Sequence, residues 1–84
     1  MKSTIVQVPF KEGLHARPAS EITKLCQKFV SDIKFIKDTA EIDPKSILGI
    51  LTLGASKGDK IQVEVVGEDE EEALNVIEEF FRKE

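Results

Sequence analysis

Tryptophan and tyrosine are absent from this chain, and cysteine, methionine and histidine occur once each. A single cysteine, Cys26, forms no internal disulfide, so the chain is not a disulfide framework and its cysteine usage does not point to an oxidising compartment. One histidine and one cysteine also leave no metal-ligand cluster of familiar spacing. No apolar run is long enough to span a bilayer, and no cationic-apolar leader is recognisable. Positive charge is in deficit: 12 Lys and Arg face 16 Asp and Glu, for a net charge of −4. Nonspecific nucleic-acid binding needs a basic footprint, so direct binding to nucleic acid is not expected. Neither a glycine-rich nucleotide loop nor an internal repeat, linker or low-complexity segment occurs, and no cofactor or metal is implied. The expectation is one cytoplasmic domain over residues 1–84, without membrane insertion.

What remains is modest apolar content, 40% of 84 residues with five Phe. A chain this short buries only about 60–65% of the surface its unfolded form exposes, enough for one sheet covered by helices. Residues Thr4 to Val8 alternate as a strand with Thr4, Val6 and Val8 inward, and Pro9 ends it. Apolar residues then recur at Ala19, Ile22, Leu25, Cys26 and Phe29, the spacing of one buried helix face. Packing is the reading of Cys26 there, since a reactive thiol needs an exposed, electropositive setting. Asp32 to Lys37, with Ile33 and Phe35 inward, turns at Asp38-Thr39 into Ala40-Glu41-Ile42, a hairpin.

Ser46 is a good N-cap for a short helix from Ile47 to Leu53, closed by Gly54 as a C′ glycine. That helix has more apolar residues than one core can accept in under two turns. Ile47, Leu48 and Leu51 fall together by helical spacing and are expected as an exposed docking patch, with plain core packing the alternative. Lys57-Gly58-Asp59 is a turn, and Lys60 to Val65 is the clearest strand, with Ile61, Val63 and Val65 inward. Asp69 and Glu72 have capping-box spacing before a last helix whose apolar face is Ala73, Leu74, Ile77, Phe80 and Phe81. Its acidic start and its Arg82 and Lys83 end complement the helix dipole. The order is β-α-β-β-α-β-α, an α+β two-layer arrangement with an antiparallel sheet; local patterning does not fix the strand order.

The chemistry concentrates in Gly13-Leu14-His15-Ala16-Arg17-Pro18-Ala19-Ser20. Proline suits a first helical turn, where an amide proton would have no partner in the helix, so a helix begins at about Ala16. His15 then stands at or beside the N-cap, where free N–H groups and the dipole favour an anion. Arg17 adds a guanidinium fork suited to phosphate oxygens. Imidazole, titrating near ~6.5 when unperturbed, is largely neutral and nucleophilic at cellular pH. These residues read as a phosphoryl group carried on His15; the plain alternative is a surface or capping histidine.

The run Gly-Leu-His-Ala-Arg-Pro-Ala resembles the active-site signature of the HPr family, histidine phosphocarriers of the bacterial phosphoenolpyruvate:sugar phosphotransferase system. Lys45-Ser46-Ile47-Leu48-Gly49-Ile50-Leu51-Thr52-Leu53-Gly54 resembles that family's regulatory serine segment, in register downstream, and the resemblance extends from Thr4 to Lys83. It implies an open-faced β-sandwich, its four-stranded antiparallel sheet in order 1-4-2-3 and covered on one face by three helices. It also implies a general phosphocarrier, no enzyme in itself, accepting a phosphoryl group from phospho-enzyme I on Nδ1 of His15 and passing it to IIA components. Arg17 would stabilise the phosphate. Ser20, Lys24, Gln27, Ile47, Leu48 and Leu51 match the family's partner surface, and Ser46 matches a serine phosphorylated by an ATP-dependent HPr kinase/phosphorylase in members that then bind a catabolite-control transcription factor. A monomer is expected.

Two departures from the family pattern stand out. Glu12 occupies a position that is commonly small and polar, placing a carboxylate near the phosphorylated ring unless it turns away. Leu48 and Leu51 replace methionines frequent in Gram-positive members. The alternatives are a carrier of the nitrogen-related branch, a regulatory binding module modified only on Ser46, and a small-molecule-binding domain of this fold class. The third has no pocket residues to recommend it. The sugars served, and whether Ser46 is modified in the source organism, are not written in the sequence.

Overall fold

The computed structural model describes residues 1–82. Its elements are β1 (Lys2–Gln7), α1 (Ala16–Cys26), β2 (Asp32–Lys37), β3 (Ala40–Ile42), α2 (Ile47–Leu53), β4 (Lys60–Val66) and α3 (Glu70–Arg82). The four strands form one antiparallel sheet in the order β1-β4-β2-β3. That is the order the family resemblance implies, and the three helices cover one face.

Alternation explains which face is covered. In register, Val6 sits opposite Ile61, and Val63 lies between Thr4 and Phe35, while Ile33 pairs with Val65. Val6, Ile33, Phe35, Ile61, Val63 and Val65 are all buried, facing Ala19, Ile22 and Cys26 of α1 and Ala73, Ile77, Phe80 and Phe81 of α3 in one core. Each fully buried aliphatic or aromatic side chain of this kind contributes roughly 1.5–3 kcal/mol. On the other face Ile5 and Val66 are exposed among charged neighbours, and Lys34 meets Glu41 at 3.4 Å across the hairpin.

Several boundaries differ from those read in the sequence. The first strand begins at Lys2 and ends at Gln7. Val8 is buried as expected, but its backbone is held by the 57–59 turn: its N–H donates to the Asp59 carbonyl at 2.9 Å and its carbonyl accepts from the Gly58 N–H at 2.8 Å. The α1 helix ends at Cys26, so Phe29 packs from the following turn, where its N–H donates to the Cys26 carbonyl at 3.2 Å. Lys83, placed near the end of the last helix, lies outside the described residues.

The capping box at Asp69 and Glu72 is not formed. Asp69 Oδ1 accepts from the Ser31 N–H at 3.0 Å and the Ser31 hydroxyl at 2.5 Å, and Oδ2 accepts from the Val30 N–H at 3.0 Å. The segment leaving α1 carries N–H groups that no helix or ladder satisfies, and a carboxylate is their acceptor. Gly67 permits the approach, because a Cβ there would stand 2.5–2.8 Å from Ser31. Glu70 accepts instead from the Gly67 N–H at 3.0 Å. The Ser31 hydroxyl, and after it the Val30 N–H, hold the Asp69 carboxyl below its ordinary pKa.

Candidate functional site

The loop before α1 is fixed at three points. The Gly13 N–H donates to the Phe10 carbonyl at 2.9 Å, closing a turn through Lys11 and Glu12, and the Leu14 N–H donates to the Ala55 carbonyl at 3.0 Å. The Phe10 ring stacks on α3, 5.4 Å from the Phe80 centroid and 6.2 Å from that of Phe81. Gly13 has φ +80°, and a Cβ there would lie 2.5 Å from the Ala55 carbonyl oxygen, so two physical reasons require glycine.

The loop delivers His15 as the N-cap residue of α1, with extended backbone and no side-chain capping bond. The imidazole is therefore not spent on the helix, and its side chain is half exposed, at 51%. Ala19 N–H already donates to the His15 carbonyl, and Pro18 has no N–H, so Ala16 and Arg17 carry the unspent amide protons of the helix start. Arg17 is exposed and, among the described residues, forms no ion pair. His15 and Arg17 line one shallow depression with Lys11, Glu12 and Glu21, its apolar wall made by Phe10, Pro18 and Phe80. Glu12 turns onto the imidazole: its Oε1 is 3.5 Å from Nε2.

The second motif lies at the far end of α1. Ser46 is the N-cap of α2, its hydroxyl accepting from the Gly49 N–H at 3.3 Å, and Gly54 ends that helix at φ +67°, both as expected. Asp43 Oδ1 accepts from the Lys45 N–H at 2.9 Å, an Asx turn that the Asp-Pro-Lys run could have announced. Lys45 was not anticipated as a structural residue. Its Nζ donates to the Phe29 and Ser31 carbonyls at 2.8 Å each, and its own carbonyl accepts from Gln27 Nε2 at 2.9 Å. The start of α2 is thereby tied to the end of α1, and its end, through Ala55, to Leu14. The two helices run antiparallel.

His15 stands at the start of α1 and Ser46 beside its end, where the Lys45 carbonyl accepts from Gln27. Between them lies the patch. Ile47, Leu48 and Leu51 are 42%, 69% and 43% exposed, whereas Ile50 and Leu53 are buried. Lys24 on α1 and Gln27, its C-cap, are exposed, and Ser20 is half-buried. Cys26 is fully buried, its thiol pushed up to about 12 by burial first and then by Asp43, with Lys45 opposing. Among the described residues no group of three His, Cys, Asp or Glu could hold a metal ion, and no helix is long and apolar enough to cross a membrane.

An open-faced α+β domain that exposes one uncapped histidine at a helix start, with an arginine beside it, is built like a phosphohistidine carrier. The family pattern described as PTS HPr component phosphorylation site matches residues 2–83, and the chain belongs to the HPr family. It is 40% identical over 84 residues to the phosphocarrier protein HPr of Mycoplasma pneumoniae, covering 99% of this chain and 96% of that one. With the HPr-like protein Crh of Bacillus subtilis it shares 37% over 79 residues, covering 94% and 93%. The crystal structure of a phosphocarrier protein HPr from Bacillus anthracis superposes with a TM-score of 0.91 at 36% identity, covering 95% of each chain.

Proposed function

We propose that this protein is a general phosphocarrier of the sugar phosphotransferase system, working in the cytoplasm as a monomer. Nδ1 of His15 accepts a phosphoryl group from phospho-enzyme I and returns it to IIA components. The observation that carries this reading is the half-exposed imidazole, free of any capping duty, at a helix start whose Ala16 and Arg17 amides are unspent. Arg17 supplies an exposed positive charge beside it. Phosphoryl transfer depends mainly on positioning and charge stabilisation, so this chain contributes an acceptor and part of the anion site, and its partners complete the catalytic machinery. The protein is a substrate of those enzymes and no enzyme itself. The exposed stripe of Ile47, Leu48 and Leu51, flanked by Ser20, Lys24 and Gln27, is their docking surface.

Ser46 is a second phosphorylation site, for HPr kinase/phosphorylase, and its phosphorylated form would engage a catabolite-control transcription factor. Exposure of Ser46 at a helix start favours this, since a phosphate is electrostatically welcome there. The test is label transfer from phosphoenolpyruvate in the presence of enzyme I to the native protein and to His15→Ala. Acid-labile label present in the first and lost in the second is expected. No label on the native protein with a competent enzyme I refutes the carrier function, and an acid-stable, ATP-dependent label on Ser46 alone would leave a regulatory module.

A further inference from the structure

We infer that Glu12 is a positioning residue for His15: its carboxylate faces the Nε2 edge of the ring and biases the proton onto Nε2, so that Nδ1 presents the lone pair. This rests on the carrier reading above. The 3.5 Å separation is a charge contact and not a formed hydrogen bond, and the negative field of the carboxylate favours the tautomer whose N–H dipole points toward it, the one protonated at Nε2. The other ring nitrogen is then the nucleophile.

The backbone makes this pairing easy to keep. The turn from Phe10 to Gly13 is closed by its own hydrogen bond and anchored on Phe80, so only the Glu12 side-chain torsions remain to be ordered. Among the described residues, the other charged groups lining the depression are Lys11 from the loop and Arg17 and Glu21 from α1, and α3 contributes the uncharged Phe80. Of these, Glu12 alone makes an ion-pair contact with the ring.

The tautomer matters to the transfer. As the Nδ1 lone pair forms the N–P bond, the bond between phosphorus and the donor atom breaks, and its electron pair leaves with the donor. The ring, still protonated on Nε2, becomes formally cationic, and the Glu12 carboxylate faces that charge. On release to an acceptor nucleophile the N–P electron pair returns to Nδ1 and the ring leaves as neutral imidazole. No proton has to move in either direction. Because the carboxylate lies on the Nε2 edge, it serves the ring rather than opposing the phosphoryl dianion at close range.

The experiment compares the native chain with Glu12→Gln and Glu12→Ala. The single histidine makes ¹⁵N NMR of the imidazole unambiguous, recorded at about pH 8.5, well above the ordinary imidazole titration. A predominantly Nε2–H ring is expected in the native protein, with the Nδ1–H fraction larger in Glu12→Gln, which loses the charge, and at least as large in Glu12→Ala. In the enzyme I assay, Glu12→Ala should lower the turnover number about two- to five-fold with KM little changed, the size of a screened, exposed charge at this distance. The loss should shrink as salt is raised. If the native protein is labelled but the ring tautomer and the rate are the same in Glu12→Ala, the inference is overturned and the carrier reading stands. A native protein that takes no label overturns the carrier reading itself, and the inference falls with it.

Discussion

Replacing Gly13 by alanine should dislodge the histidine loop, and the size of the effect can be worked from its two causes. An L-residue at φ +80° costs roughly 1–2 kcal/mol. The new Cβ, 2.5 Å from a carbonyl oxygen that belongs to backbone, cannot be accommodated by a side-chain rotation. Either the loop or Ala55 must retreat, breaking the bond from the Leu14 N–H, and Leu14 is buried, so its donor is left unsatisfied at a further cost of roughly 1–3 kcal/mol. A total near 3 kcal/mol corresponds to a fall in Tm of roughly 12–24 °C for a domain of this size. Gly54→Ala is the internal control. It has φ +67° and nothing within 4 Å of its Cβ position, so it incurs the backbone cost alone, roughly 1–2 kcal/mol. Urea denaturation of the two variants, followed by circular dichroism, measures both. Should Gly13→Ala lose no more stability than Gly54→Ala, the close approach to Ala55 is not what fixes the loop.

Ser46→Ala should destabilise by about 1 kcal/mol through loss of the cap on α2, while Ser46→Asp restores the acceptor; equal midpoints for alanine and aspartate in urea would contradict the capping role. Because the folded-state pKa of Asp69 is depressed, the stability its charge supplies is present above the unfolded pKa near 3.8 and is lost as pH falls through the lower, folded value. Acid titration of Asp69→Asn should therefore show a weaker fall in stability below about pH 4 than the native chain, and parallel curves would refute the assignment. Cys26 should resist thiol reagents at pH 8 until the core opens, its modification following denaturant concentration; rapid labelling of the native protein would contradict its burial. Its raised pKa also means that stability from the neutral thiol is complete below the unfolded value of 9.0 and declines as pH rises towards about 12.

Local physics was legible where one residue settles one question. Ile61, Val63 and Val65 announce a strand with one buried face because side chains alternate, and Pro18 places the start of α1 because few other positions tolerate it. The division of α2 into exposed Ile47, Leu48 and Leu51 and buried Ile50 and Leu53 follows from helical spacing together with the impossibility of burying all five. Features decided by distant partners were not legible. Asp69 has the spacing of a capping residue, yet its carboxylate answers N–H groups 38 and 39 residues away, a demand no local pattern displays. The strand order came from the family resemblance, since alternation shows which face is inward and not which neighbour is adjacent. Glu12 was visible as a charge near His15, but the ring edge it meets depends on the turn that carries it.

The antiparallel run of α1 and α2 sets a footprint. An ordinary protein interface covers about 800 Å² on each partner, a disc roughly 30 Å across, wider than the roughly 18 Å that α1 rises from His15 to Gln27. On the docking reading proposed above, a globular protein that settles on the Leu48 stripe to reach the imidazole would have area enough to lie over the serine as well. Charge added at Ser46 would be felt by the visitor itself, at the rim of its seat, with no conformational signal relayed through the core. On that reading two inputs would be read by one surface at one moment, with the helix pair as the ruler that keeps them apart while leaving both within a single grasp.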